Sequence, residues 1–462
     1  MNKKVLFLLM LLGTTVFSLN IVAQELWSLE KCIFYAFENN LQIQQSQLDV
    51  LSADQDLRQS KLNMVPSFNA GFNHNFGWGR SYDDAQGIFI DNKSQQNFFS
   101  INSDLTLFQG LSQLNSIKQK NFDYLAKKYD SDKIKNDISL YIAASYLSIL
   151  FNLELVNNAQ RQVDISKEQI DRTEKQVDAG AVARGSLYDI QAQGAGEEAT
   201  LINTKNNLML AYLDLMQLLD LEASKDFDIE KPKLEITGTP SLLPPEMIYN
   251  KALTLMPEIK SAEYRLNSAE KSLSSAKGYH SPRIYATGSY GTNFSNQIGL
   301  EPYQPISEAN PMKSFDQQWI DNRNGGFRLG ISIPIFNGYQ VSTNVQKSKI
   351  YKDAVNLNLE IEKNTLRKNI ETAYADAIAA YQTYIARKKS VDAFRESFKY
   401  IEEKFDVGMV TSTDYNVAKI QLNNAESDLA SSKYDYIFKV KILDFYLGKS
   451  LSLANIAGVI EE

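Results

Sequence analysis

Four carboxylates recur at one spacing along this chain: Glu174 and Asp178, then Glu402 and Asp406, each pair four residues apart and the second pair displaced from the first by 228 residues. On a helix, residues four apart share a face, and like charges there cost a few tenths of a kcal/mol, so the recurrence asks for a reason. Gathered near an axis, such groups would concentrate cations and make a passage sensitive to pH and divalent ions. The plain alternative is a solvated face balanced by Lys175, Lys399 and Lys404. Covalent chemistry finds no support. His74 and His280 lack the close cysteine, histidine or carboxylate neighbours of a metal site, and Cys32, the single cysteine, can form no internal disulfide. The chain has no phosphate-cradling P-loop, no dinucleotide fingerprint and no nucleophile elbow. These absences point away from an enzyme and call for no cofactor or metal.

The 228-residue displacement extends beyond the carboxylates. LFQG at 107 to 110 and VDAG at 177 to 180 return as IFNG at 335 to 338 and FDVG at 405 to 408. Further back, Pro66 matches Pro282 at an offset of 216, so the copies differ in length only between Pro66 and Gly110, against Pro282 and Gly338. A constant offset over so long a span means one supersecondary unit written twice. The organisation read from this is a secretory signal at 1–23, a first repeat at 24–220, a linker at 221–244, a second repeat at 245–448 and a tail at 449–462. The signal rests on Lys3 and Lys4 ahead of the apolar run VLFLLMLLGTTVFSL, with small residues before Gln24.

The carboxylates need long helices to carry them. Ser112 to Val177 contains neither proline nor glycine and repeats its apolar residues at helical spacing; Gln340 to Val407 does the same. At about 1.5 Å per residue each would run on the order of 100 Å. After each glycine a helix returns. Its heptad frame includes Leu187, Ile190, Leu201, Leu208 and Leu215 in one copy and Tyr415, Ala418, Leu429, Tyr436 and Leu443 in the other, broken by Glu197 and Lys439. Gly180 and Gly408 are thus turn residues at helical-hairpin tips, with Ala181, Val182, Met409 and Val410 beside them.

Strand signals are confined to about 67–78, 97–108, 283–294 and 325–336. Alternation puts Phe99, Ile101 and Leu105 opposite Ser100, Asn102 and Thr106, and Leu329, Ile331 and Ile333 opposite Arg328 and Ser332. Polar stretches at 79–96 and 295–326 read as loops, with Trp78, Tyr82 and Trp319 near strand ends. Past the leader, no stretch reaches the roughly 20 apolar residues of a membrane helix, so any insertion must use strands of this length. Four strands cannot close a barrel, and lipid tolerates no open edge. Since small membrane barrels need about eight strands, several chains must contribute, and three would supply twelve.

The net charge of -7, which becomes -9 once Lys3 and Lys4 leave with the signal, argues against nucleic acid as a principal partner. The opening ELWSLEKCIFYAFENNLQIQ at 25 to 44, the paired hairpins, LFQG and PIFNG at strand ends, and the tips VDAGAVARGS and FDVGMVTST together resemble the TolC-like outer membrane efflux proteins, in their Bacteroidetes branch. The fold class expected is mainly α with a membrane β-barrel contribution. The resemblance implies a homotrimer with a twelve-stranded barrel in outer membrane lipid, a periplasmic helical tunnel, and an equatorial belt from linker and tail. It implies an exit duct for efflux or type I secretion, served by a periplasmic adaptor at the tips and an inner-membrane pump, and an aperture favouring Glu402 and Asp406 over Glu174 and Asp178. The strand residues Phe99, Ile101, Leu105, Leu329, Ile331 and Ile333 would face lipid. A periplasmic adaptor-type coiled coil or a structural envelope protein is the rival reading, which explains the long helices but not the duplication.

Overall fold

The structure is a computed structural model and describes residues 26–83, 87–222, 227–232, 234–236, 242–296, 313–453 and 459–461. The expected leader, the middle of the second polar loop, and parts of the linker and tail lie outside the described residues.

The duplication is literal in the helices. The first copy contains α1 (Leu29–Asn39), α2 (Leu41–Leu62), α3 (Ser112–Asp178) and α4 (Arg184–Leu218). The second contains α5 (Pro245–Leu255), α6 (Pro257–Gly278), α8 (Gln340–Asp406) and α9 (Ser412–Tyr446), and the lengths agree one for one at 11, 22, 67 and 35 residues. A short helix, α7 (Phe315–Asp321), has no partner among the described residues of the first copy. The break before the 22-residue helix has a local cause in each copy. Asn40 is extended and its Oδ1 accepts from the N–H groups of Gln42 and Ile43, while Pro257 opens α6 where its missing N–H costs nothing.

Chain reversals also repeat. Gly110 and Leu111, and then Gly338 and Tyr339, hold consecutive positive φ angles where strand passes into helix. Gly110 lies so close to Gly278 that a Cβ on it would sit 2.3 Å from the Gly278 carbonyl oxygen, so only glycine fits there.

Packing divides the chain into two compact units, and each unit draws on both copies. One comprises Met1–Gln45, Ile134–Leu255 and Leu366–Glu462; the other comprises Ser46–Lys133 and Met256–Thr365. The core of the first is built from Leu29, Cys32, Ile43, Ile142, Tyr146, Leu215, Ile229 and Tyr436. Within it, Tyr146 donates from its hydroxyl to the carbonyls of Trp27 and Glu230, and β3 (Leu234–Ile236) pairs antiparallel with β6 (Val459–Glu461), so linker and tail meet. Burial pushes the Cys32 thiol up to about 12, which leaves it inert. One expectation about composition fails. α3 carries a window of mean hydropathy 1.5, apolar enough to cross a membrane, and its Ile138, Ile142, Tyr146, Ile149 and Leu150 are instead consumed by this core.

The second unit holds a four-stranded antiparallel sheet in the order β1 (Ser67–Asp83), β2 (Ile88–Gln109), β4 (Arg283–Ser295), β5 (Asn324–Ser332). Three strand limits differ from those expected. β1 and β2 run on past 78 and 97 to pair through Asp83 and Ile88, because Gly79 and Asn92 of the supposed 79–96 loop still pair in register, alternating with Arg80, Tyr82 and Phe89 across a two-stranded ribbon. β5 stops at Ser332, short of 336, since Pro334 has no N–H for the ladder. Leu107 is skipped between Thr106 and Phe108, and this bulge turns Phe108, rather than Leu107, into line with Ile284 and Ile331.

Candidate functional site

The helical tips close by one hydrogen-bond pattern. Gly180 N–H donates to the Val177 carbonyl and Ala181 N–H to that of Gln176; Gly408 and Met409 donate to Phe405 and Lys404 in the same way. This double bond around a left-handed residue is the Schellman turn, and Gly180 and Gly408 hold φ of 72° and 74°. The return helices differ. Thr411 and Asp414 form a reciprocal capping box before α9, whereas Ala183 gives α4 no side-chain cap. Ala181 and Gly408 are exposed, Val182 and Val410 half-buried, and Met409 is 72% exposed, a bare apolar side chain at the end of a hairpin.

The two carboxylate pairs sit in unlike surroundings. Glu174 and Asp178 are exposed. Asp406 forms an ion pair with Arg172 of α3, which links the end of the second long helix to the first. Glu402 is half-buried, and burial first, then the neighbouring Asp406 charge, raises its carboxyl above the ordinary 4.5. Tyr415 stacks on Phe405 at 4.8 Å between ring centres and closes the space beside it. Sequence spacing made the pairs look equivalent; the partners supplied by α3 and α9 distinguish them.

A second charged group was missed. Lys419, 3% exposed, places Nζ 3.0 Å from Glu197 Oε1, 2.7 Å from Ser166 Oγ and 3.3 Å from the Gln162 carbonyl, joining α9 to α4 and α3. Burial pushes its ammonium down, and the bond to Glu197 opposes that. The signal available beforehand was Glu197 itself, a charge at a core heptad position. Lys439, the other breach of the frame, pairs with Asp376 at 2.9 Å.

In the sheet, cross-strand register decides which residues share a face. Phe72, Phe99 and Thr292 form one row, and Ala70, Ile101 and Tyr290 the next; Phe68, Ser103, Gly288 and Phe327, then Leu105, Ala286 and Leu329, then Phe108, Ile284 and Ile331 follow on that face. The opposite face carries Asn69, Asn102 and Ser289, then Asp104, Thr287 and Arg328, then Thr106 and Tyr285. Ile333 lies beyond the last paired residue of β5. Among the described residues no cluster of histidine, cysteine, aspartate or glutamate could hold a metal ion.

A model of the family described as outer membrane efflux protein matches residues 34–220 and 248–449. The chain belongs to this family. Outer membrane efflux proteins are channel and transport proteins rather than an enzyme family. The chain is 23% identical over 425 residues to outer membrane protein TolC of Salmonella enteritidis, covering 89% of this chain and 79% of that one. Against TolC of Escherichia coli K12 it is 21% identical over 413 residues, with 86% and 78% covered. Its fold matches a crystal structure of CusC with a TM-score of 0.74 at 16% identity, over 92% of both chains. This efflux protein is an outer membrane exit duct with a large periplasmic helical portion.

Proposed function

We propose that three copies of the chain close a twelve-stranded barrel, and that the duct they form receives cargo from an inner-membrane pump through a periplasmic adaptor at the helical tips. The observation that carries this reading is the four-stranded sheet, which has one apolar face, one polar face, and β1 and β5 as unpaired edges. In lipid those edges must pair, and β5 of one copy against β1 of the next continues the order already built within the chain. Three copies exceed the eight strands a small barrel needs.

The duplication indicates the seam. Within one chain α6 lies on α3, where Ser268 Oγ meets Asp123 Oδ1 at 2.5 Å and Ser261 Oγ meets Asp130 Oδ1 at 2.5 Å. Displacing α6 by 216 and α3 by 228 yields α2 of a neighbouring copy against α8, with Ser52 opposite Tyr351. Both are exposed in the single chain. Ser52→Cys with Tyr351→Cys should cross-link chains into trimers on mild oxidation, and neither single variant should do so. Failure of the double variant in a folded sample would remove this seam.

At the tips, Gly180, Ala181, Val182, Gly408, Met409 and Val410 form the adaptor surface, supported by the exposure of Ala181 and Met409. Glu402 and Asp406 form the constriction, supported by the half-burial of Glu402 and the ion pair of Asp406 with Arg172, against the exposure of Glu174 and Asp178. Cross-linking from Ala181 or Met409 to a co-expressed adaptor tests the first; channel conductance, below, tests the second.

A further inference from the structure

Helix α7 lies against the apolar face of the sheet and not its polar face. The Trp319 ring lies 6.2 Å from Phe99, Phe315 lies 5.0 Å from Phe294, and Thr292 donates from Oγ1 to the Trp319 carbonyl at 2.7 Å. Phe99 and Thr292 form the last row before the face turns mixed: Phe294 shares the next row with His74 and Asn97, and beyond it Phe76 and Trp78 of β1 lie opposite Gln95 and Lys93 of β2.

This placement seals polar groups that water would otherwise have to satisfy. β5 begins opposite Gly291, so β4 has no partner on that side from Thr292 onward. There Asn322 Nδ2 donates to the Asn293 carbonyl at 2.8 Å, and Ser295 N–H donates to Gln318 Oε1 at 3.1 Å, so α7 and the residue after it cap the orphaned edge. Thr292 is 5% exposed and Asn97 7%, each bonded within the protein, the latter to His74 Nδ1. At the margin of a bilayer, where water cannot reach such groups, this sealing is required. The helix also has the composition of a membrane interface. Trp319 is half-buried on the sheet, Phe315 and Ile320 are exposed, and Lys313 and Arg323 flank the ends.

We infer that α7 is an interfacial anchor, lying on the outside of the barrel at the headgroup level of the outer leaflet and marking where the hydrocarbon band stops. The inference rests on the reading that the apolar face meets lipid, and the test separates the two. The chain has three tryptophans, Trp27, Trp78 and Trp319. With Trp27→Phe and Trp78→Phe, Trp319 remains as the single reporter in trimers reconstituted in vesicles whose lipids carry bromine either near the headgroup or near the chain ends. A companion protein lacking all three and carrying Phe327→Trp reports the middle row of the band.

The expected result is loss of Trp319 fluorescence chiefly with headgroup-proximal bromine, and loss of the Phe327→Trp signal chiefly with bromine near the chain ends. Loss at Phe327→Trp with none at Trp319 would overturn the anchor and leave the lipid face standing, as would deep quenching of both. Absence of quenching at Phe327→Trp would overturn the lipid face and the anchor with it.

Discussion

Lysine at Phe327 should be far costlier than lysine at Ile331, although both residues lie on one strand and one face. The apolar band runs from Phe99 to Phe108 along β2. Nine steps at about 3.3 Å make about 30 Å along the strand, and at a tilt of about 40° roughly 23 Å along the membrane normal, close to the ~25 Å apolar belt of outer membrane barrels. Phe327 shares the central row with Phe68, Ser103 and Gly288, while Ile331 belongs to the end row with Phe108 and Ile284. A cation at the midplane costs about 2–4 kcal/mol and near the interface about 0–1 kcal/mol. At about 1.4 kcal/mol per tenfold, Phe327→Lys should therefore weaken folding into the bilayer by about 30- to 700-fold per subunit, and Ile331→Lys by less than about 10-fold. Ser289→Lys, on the polar face, should change it within about 0.5 kcal/mol. The assay is denaturant titration of trimers folded into lipid vesicles. Equal losses at Phe327 and Ser289, or a larger loss at Ile331 than at Phe327, would refute the face and depth reasoning together.

Other outcomes follow from the helical portion. Lys419→Met should strand Glu197 in a buried site and cost about 3–5 kcal/mol, visible as a lowered thermal midpoint, and Glu197→Met in the same chain should recover most of it. Gly408→Ala should cost about 1–2 kcal/mol by forcing a side chain into the left-handed region, read by chemical denaturation, with no change in sheet content. Because the folded state raises the Glu402 carboxyl above 4.5, it binds the proton more tightly than the unfolded chain. Its stabilising contribution is full below pH 4.5 and is lost as pH rises through the raised value. In single-channel recordings cation selectivity should therefore fall on acidification before pH 4.5 is reached. Glu402→Gln with Asp406→Asn should abolish that pH step; unaltered selectivity would contradict the constriction.

Repetition made most of the helical architecture legible. Glycine at a tip cannot move without changing two helices, so Gly180 and Gly408 kept a fixed offset and marked both hairpins. The left-handed reversal at Asp220 was hidden, because its counterpart Gly448 is a glycine and Asp220 is not. The break at Asn40 was hidden because it lies inside a helical pattern and only its cap geometry ends the helix, whereas the break at Met256 is marked in the sequence by Pro257. In the sheet, alternation identified the faces, but a bulge is one uncounted residue, so the side of Phe108 could not be read. The outer ribbon was mistaken for loop because Gly79, Asp91 and Asn92 are turn residues by composition while their register is that of a strand. The charged contacts were least legible. Arg172 with Asp406 and Lys419 with Glu197 join residues 234 and 222 apart, and nothing local announces such a pair.

The central claim is that β5 of one copy pairs with β1 of the next to close a barrel of three chains. An electron cryomicroscopy map of the protein in lipid nanodiscs, at a resolution that separates strands, tests it directly. The expected particle is threefold, with twelve strands in the lipid belt and continuous density from β5 into a neighbour's β1. A particle with any other copy number, or one in which β1 pairs with β1, would contradict it.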